Sequence, residues 1–318
     1  MEGNSLVRPI LAVLVVAGLL ASVFCGCQPQ TTGEIAVKVI VTQNFGNKLM
    51  LDELVVVSIG TSALGALEEV AMVETKYGGG FIEAINGISS QYSAGAKTKN
   101  DWFFFVNGMS ANVGAQGYKL HDGDIEHWDF HDWSSQAFIP ATIGDFPQPF
   151  LGGYKGKILP TIIVYDENFQ APTLDLISKL RKLGVENIRA QFPTGLPSQD
   201  KERCNLILLG TEDFSLISEL NGNAKLGFYI HFEEGKAVVY DSQGNKTQYE
   251  SGCGIIQATQ NPWNPKGVGA CENVAWMISG TDENQVRNAL NALVNHHEEF
   301  RYAYAAVITG EEVIKVPG

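Results

Sequence analysis

Eight side chains that can bind protons or metal ions crowd residues 121–132: His121, Asp122, Asp124, Glu126, His127, Asp129, His131 and Asp132. Imidazole and carboxylate are transition-metal ligands, so metal binding is the first chemistry to weigh. On a strand, His127, Asp129 and His131 share one face, because side chains alternate. His127 and His131 then lie two pleats apart, long for one small ion, and the spacing fits no standard zinc motif. The reading that follows is a solvated acidic face opposite Trp128 and Phe130, with no metal.

A second set is aromatic. In the run Trp102-Phe103-Phe104-Phe105-Val106, Trp102, Phe104 and Val106 share one face, and Phe103 and Phe105 the other. A strand apolar on both sides needs a cover on one side and either a cover or a ligand on the other. An open, ring-lined face suits a flat macrocycle. Tyr92, Trp102, Phe104, Asn112 and Tyr118 are therefore the candidate ligand contacts, with the polar loop 88–99 shaping a binding edge. The alternative is that the second half of the chain or the connector covers that face.

Weaker signals lie further on. Leu209-Gly210-Thr211 and Ser279-Gly280-Thr281-Asp282 are strand-to-helix turns of the kind where α/β folds bind anions, or plain helix caps. The loop Gln260-Asn-Pro-Trp-Asn-Pro265 would carry a binding residue if Trp263 is exposed and a plug if it is buried. No Gly-x-Ser-x-Gly, His-Glu-x-x-His or spaced catalytic triad occurs, so the expectation is a binding protein rather than an enzyme.

The chain holds five cysteines. Residues 9–33 carry no charge, and an apolar run from Ile10 to Gly26 follows Arg8. That is the pattern of an export signal. The ending Phe24-Cys25-Gly26-Cys27 resembles a bacterial lipobox, although Phe24 stands where the pattern prefers Leu. The resemblance implies cleavage before Cys27 and a lipid on that residue; the other reading is an uncleaved membrane anchor. Either way the rest of the chain lies outside the cytoplasm, on the extracellular face of the membrane. Cys204 reads as a buried thiol. Cys253 and Cys271 flank a Gly/Pro-rich loop and can pair in an oxidising compartment, for about 3 kcal/mol; the sequence leaves that pairing open.

These residues need elements to hold them. Glu34–Thr42 and Lys48–Ser58 alternate as a hairpin around Asn44–Asn47. Thr61 or Ser62 caps a helix with Ala63, Leu64, Leu67, Val70 and Ala71 on one face. Short strands follow at 81–87, 102–106 and 125–131, giving a ββαβββ order with one helix on one mixed sheet: an α+β, β-grasp arrangement.

The string Trp102-x4-Asn107-Gly108, then Gly114-Ala115-x2-Tyr118-x-Leu120-x-Asp122-Gly123-Asp124-x3-Trp128, resembles the transcobalamin-like β-grasp domains, including the DUF4430 type found on bacterial surface lipoproteins. Thr75–Phe81, Ile85-Asn-Gly87 and His131-Asp-Trp133 add to it. The resemblance implies a soluble-ligand-binding domain. Its implied ligand is cobalamin or another corrinoid. Its implied partner is an energy-coupling-factor vitamin importer. Independently of the resemblance, a single histidine of the cluster above would suffice to reach a corrinoid's cobalt. Asn107-Gly108 and Asp122-Gly123-Asp124 read as architectural turns.

Residues 158–318 change pattern: apolar strands such as Leu159–Tyr165 and Cys204–Leu209 alternate with amphipathic helices, as in an α/β domain with a mainly parallel sheet. The organisation expected is signal 1–26, tether 27–33, β-grasp 34–133, surface connector 134–157 and α/β domain 158–318. Net charge is −13, with 13 acidic against six basic residues in 34–133 and 21 against 15 in 134–318. No basic stripe is present, which excludes nucleic-acid binding and leaves a lipid tether as the route to the membrane. The expected function is a lipid-anchored extracytoplasmic binding protein; the alternative is a surface adhesion or assembly module.

Overall fold

The computed structural model describes residues 33–250 and 252–318. The export signal, the Cys27 lipid site and the tether up to residue 32 lie outside the described residues. Among the described residues no helix is long and apolar enough to cross a membrane.

Strands β1 (Glu34–Gln43) and β2 (Lys48–Ser58) form the expected hairpin. Helix α1 (Ala63–Glu68) follows, its N-terminus capped by the Ser62 hydroxyl, which accepts from the Gly65 amide at 3.1 Å. Then come β3 (Val73–Lys76), β4 (Phe81–Ile85), β5 (Ile88–Ser89), β6 (Asn100–Val106), β7 (Met109–Ser110) and β8 (Ile125–Asp132). The main sheet has the order β2-β1-β8-β6-β7, with β1 and β8 parallel and β6 antiparallel to β8. One expectation is corrected here. Residues 81–85 leave the main sheet and form a second one, β3-β4-β5, on the side of the helix.

The second half contains β9 (Thr161–Tyr165), α2 (Gln170–Lys182), β10 (Ile188–Gln191), α3 (Ser198–Arg203), β11 (Asn205–Leu209) and α4 (Ser215–Asn221). A hairpin sheet follows, β12 (Ile230–Glu233), β13 (Lys236–Tyr240) and β14 (Lys246–Tyr249), then β15 (Gly254–Gln260), β16 (Val274–Gly280), α5 (Glu283–Asn295), β17 (Ala305–Thr309) and β18 (Glu312–Val316). The seven-stranded sheet runs β10-β9-β11-β16-β15-β17-β18. It is parallel from β10 to β16 and antiparallel from there on, so it is half rather than mainly parallel. All five residues of β9 and of β11 are buried, as strands covered on both faces must be.

Residues 134–157 do not form a surface connector. Ile139, Ala141, Ile143, Phe150 and Tyr154 are buried, and Ile143 and Phe150 belong to the same hydrophobic cluster as Val39 of β1 and Trp276 of β16. The apolar residues spaced among the prolines bring this segment down into the space between the two sheets.

Cys204, Cys253 and Cys271 are free and buried. Pairing of Cys253 with Cys271 is ruled out by strand geometry. Cys253 precedes the start of β15 beside Gly280, and Cys271 precedes β16 beside the far end of β15. Seven residues of strand separate them, roughly 20 Å, against the ~7 Å limit for Cα atoms in a disulfide.

Candidate functional site

The β8 strand carries chemistry on both faces. His127, Asp129 and His131 do share one face, but each is at most 2% exposed, so the expected solvated face is a buried one. The cover is supplied by the second half. His131 is stacked between Phe103 and Phe45 at 4.1 and 4.2 Å, and Tyr304 meets both Phe45 and Phe105 edge-on at 5.3 and 5.5 Å. Tyr229 closes on Phe45 at 5.8 Å.

Within this layer Asp129 is the hub. It accepts from the amides of Phe45 at 3.0 Å and Gly46 at 3.1 Å, from the Thr42 hydroxyl at 2.5 Å, and pairs with His131 Nδ1 at 2.7 Å. Burial works to raise its pKa, but the His131 hydrogen bond, followed by Thr42 and His127, outweighs it and holds the carboxyl below the usual range. His127 Nε2 lies 2.8 Å from Thr42 Oγ1, and its Nδ1 lies 3.7 Å from Asp145 Oδ1. Hydroxyl, imidazole and carboxylate in that order are the parts of a nucleophile-base pair. Thr42, however, has no exposed surface, so no substrate reaches it. The arrangement positions the turn at Asn44–Asn47. Among the described residues no group of three or more His, Cys, Asp or Glu is placed to hold a metal ion.

The opposite face is closed as well. Phe104 stacks on Trp128 at 4.5 Å, Trp102 tilts against Phe130 at 5.3 Å, and Tyr118 meets Phe104 edge-on at 6.2 Å. Trp102 is 7% exposed, with its indole N–H donated to the Ile88 carbonyl at 2.8 Å; Tyr118 is fully buried. Of the candidate contacts, Trp102, Phe104 and Tyr118 thus come together, but as core beneath α1 and the β3-β4-β5 sheet. Trp102 and Tyr118 are buried and Phe104 is half-buried against Trp128. Glu126 sits in this core, fully buried, accepting from the Trp128 indole at 2.5 Å. Burial raises its pKa well above the usual value, the Trp128 hydrogen bond opposing it only in part.

Tyr92 and Asn112 do not come together: Tyr92 lies beside the start of β6, and Asn112 follows β7 and turns toward the second half. Asn112 is exposed, its amide donated to the Ala270 carbonyl at 3.3 Å. Tyr92 is 47% exposed and meets Trp133 edge-on at 4.9 Å, and the Lys99 ammonium stands 4.9 Å from the Trp133 ring centre. Asp101, buried at the start of β6, accepts from the Trp133 indole at 2.9 Å and from the Ser93 hydroxyl at 2.8 Å. Loop 88–99 is therefore pinned onto the end of the sheet. Trp133, Lys99 and Asp101 were not among the predicted contacts; the signal available was a Trp one residue beyond a strand end.

In the second half the strand-to-helix turns are closed by their own helices. A Cβ on Gly210 would lie 2.8 Å from the Phe214 side chain, and one on Gly280 would lie 2.7 Å from the Val286 amide. Trp263 is half-buried, with its N–H on Glu219 at 2.5 Å and the Lys201 ammonium 4.1 Å from its ring. It is a pinned plug.

Comparison with known proteins finds likeness to part of this chain. Residues 60–132 match the DUF4430 family model, described as a domain of unknown function. No curated protein matches the chain. Two solved structures are similar over part of it. Haptocorrin in complex with Cbi is 19% identical over 31% of this chain and 26% of its own, at a TM-score of 0.26. A candidate metal-binding protein from Ruminococcus gnavus is 18% identical over 31% of this chain and 97% of its own, at a TM-score of 0.24. The chain therefore spans about a quarter of haptocorrin.

Proposed function

We propose that this chain is an extracytoplasmic, lipid-anchored binding protein for a small soluble ligand, and that its DUF4430 part, read as a β-grasp domain, holds the ligand at the Tyr92–Trp133 rim. The observation that supports this is an exposed Tyr92 packed edge-on against a half-buried Trp133, whose indole is fixed in place by Asp101. Rings presented at low conformational cost are what a stacking ligand uses. The motif string resembles the transcobalamin-like domains, so cobalamin is the ligand to test first. With Trp102 buried, a corrinoid would lie across the rim and not against that ring. Delivery to an energy-coupling-factor importer is the role that fits such a ligand, and Cys27 is the lipid site.

Absorbance or calorimetric titration of residues 28–318 with cobalamin tests the reading. Saturable micromolar binding is expected, weakened about tenfold by Tyr92→Ala or Trp133→Ala. Absence of saturation, or binding indifferent to both variants, would contradict it. In producing cells, Cys27→Ser should move the protein from the membrane to the soluble fraction.

The assembly reading has its own support in β2, which ends the main sheet and leaves Leu54 71% and Val56 59% exposed. Long apolar edge strands pair with other chains unless blunted. Sedimentation equilibrium decides between them: assembly requires a concentration-dependent mass that Leu54→Lys abolishes.

A further inference from the structure

The Asn-Pro-Trp-Asn-Pro loop and the segment entering β9 enclose a cleft that neither the rim nor the buried layer uses. Its volume is about 500 Å³, within the range of small-molecule sites. It opens at the N-terminal ends of β9, β11 and β16, away from the Gly210 and Gly280 turns.

The lining is unlike the rest of the surface. Lys157, Arg203 and Lys266 meet there against one carboxylate, Glu272, in a chain of net charge −13. Lys266 is engaged, its ammonium 2.5 Å from Glu272. Lys157 and Arg203 make no ion pair or side-chain hydrogen bond among the described residues. Two of the cations act on a common point: hydrogen bonds from Lys266 and then Asn264, joined by the charge of Lys157, hold the Glu272 carboxyl below its ordinary range. The floor is rigid, with Asn264 donating to Asn273 at 2.8 Å and Asn273 donating to the Cys204 carbonyl at 2.7 Å. Leu159 and Pro265 supply apolar wall.

We propose that this cleft binds a small ligand bearing a phosphate or carboxylate, held by Arg203 and Lys157, with its apolar part against Leu159 and Pro265. Arginine's planar fork matches either anion with two parallel hydrogen bonds, and lysine adds a point charge. The site is independent of the Tyr92–Trp133 rim.

Calorimetric titration of residues 28–318 with phenyl phosphate, benzoate and benzyl alcohol tests this. One saturable site is expected for an anion and none for the alcohol; the tighter of the two anions identifies the headgroup. Arg203→Gln should weaken binding about tenfold and Lys157→Gln by less, while Lys182→Gln, in the groove between α2 and α5, leaves it unchanged. Thermal unfolding of each variant verifies the fold, and cobalamin titration of the same variants should match the parent chain. The proposal is overturned if neither anion saturates by ~10 mM, or if the Arg203→Gln, Lys157→Gln double variant binds as the parent does.

Discussion

Glu126 and Asp129 stand three positions apart on β8, face opposite ways, and are shifted in opposite directions by their surroundings. Glu126 keeps its proton more tightly folded than unfolded. The stability linked to it is full below the ordinary value of 4.5 and falls as pH rises above that. Glu126→Gln keeps the acceptor for Trp128 and removes the ionisation. The variant should therefore gain on the parent in urea midpoint as pH goes from 5 to 8, and a gap that does not change with pH would contradict the assignment. Asp129 is the reverse case: its contribution is present above 3.8 and lost as pH falls through its lowered folded value. Asp129→Ala strands the Phe45 and Gly46 amides and should cost about 3 kcal/mol, read from urea unfolding at neutral pH. Strand alternation made the shared face of His127, Asp129 and His131 legible in the sequence. Its burial was not, because the covering Tyr304 lies more than 170 residues away and no local pattern encodes that packing.

At the scale of elements, tight contacts between helix and sheet explain several glycines that read only as turn or strand ends. A Cβ on Gly254 would fall 2.5 Å from the Gln285 carbonyl and 2.8 Å from Ala289 Cβ, so α5 rests directly on the start of β15. Backbone cannot yield as a flexible side chain does, and Gly254→Ala should lower stability by about 1–3 kcal/mol in chemical unfolding. The same strand accounts for the free thiols, since its length holds Cys253 and Cys271 apart. Protein purified without reductant should titrate Cys204, Cys253 and Cys271 as thiols after unfolding; a mass two units lower would contradict the topology. The β15 strand was also the least legible central element. Gln257, Thr259 and Gln260 make it look exposed, yet all three are buried and bonded, to Ile230, Leu226 and Pro140. The apolar strands β9 and β11 announced themselves because nothing in them needs a distant partner.

Across the whole molecule, the two halves that composition separates are joined through one interior. Phe45 and Phe105 of the first half pack in the same cluster as Leu206, Tyr229 and Tyr304 of the second, and residues 139–154 fill the space beside them. That union covers the side of β6 that carries Phe105. Truncating Phe105 to Ala should destabilise both halves together, by about 3–5 kcal/mol. The most direct measurement is equilibrium urea unfolding of residues 28–318, followed at once by far-ultraviolet circular dichroism and tryptophan fluorescence. A shared core predicts a single transition with coincident midpoints. Two separated transitions, one for each half, would contradict it.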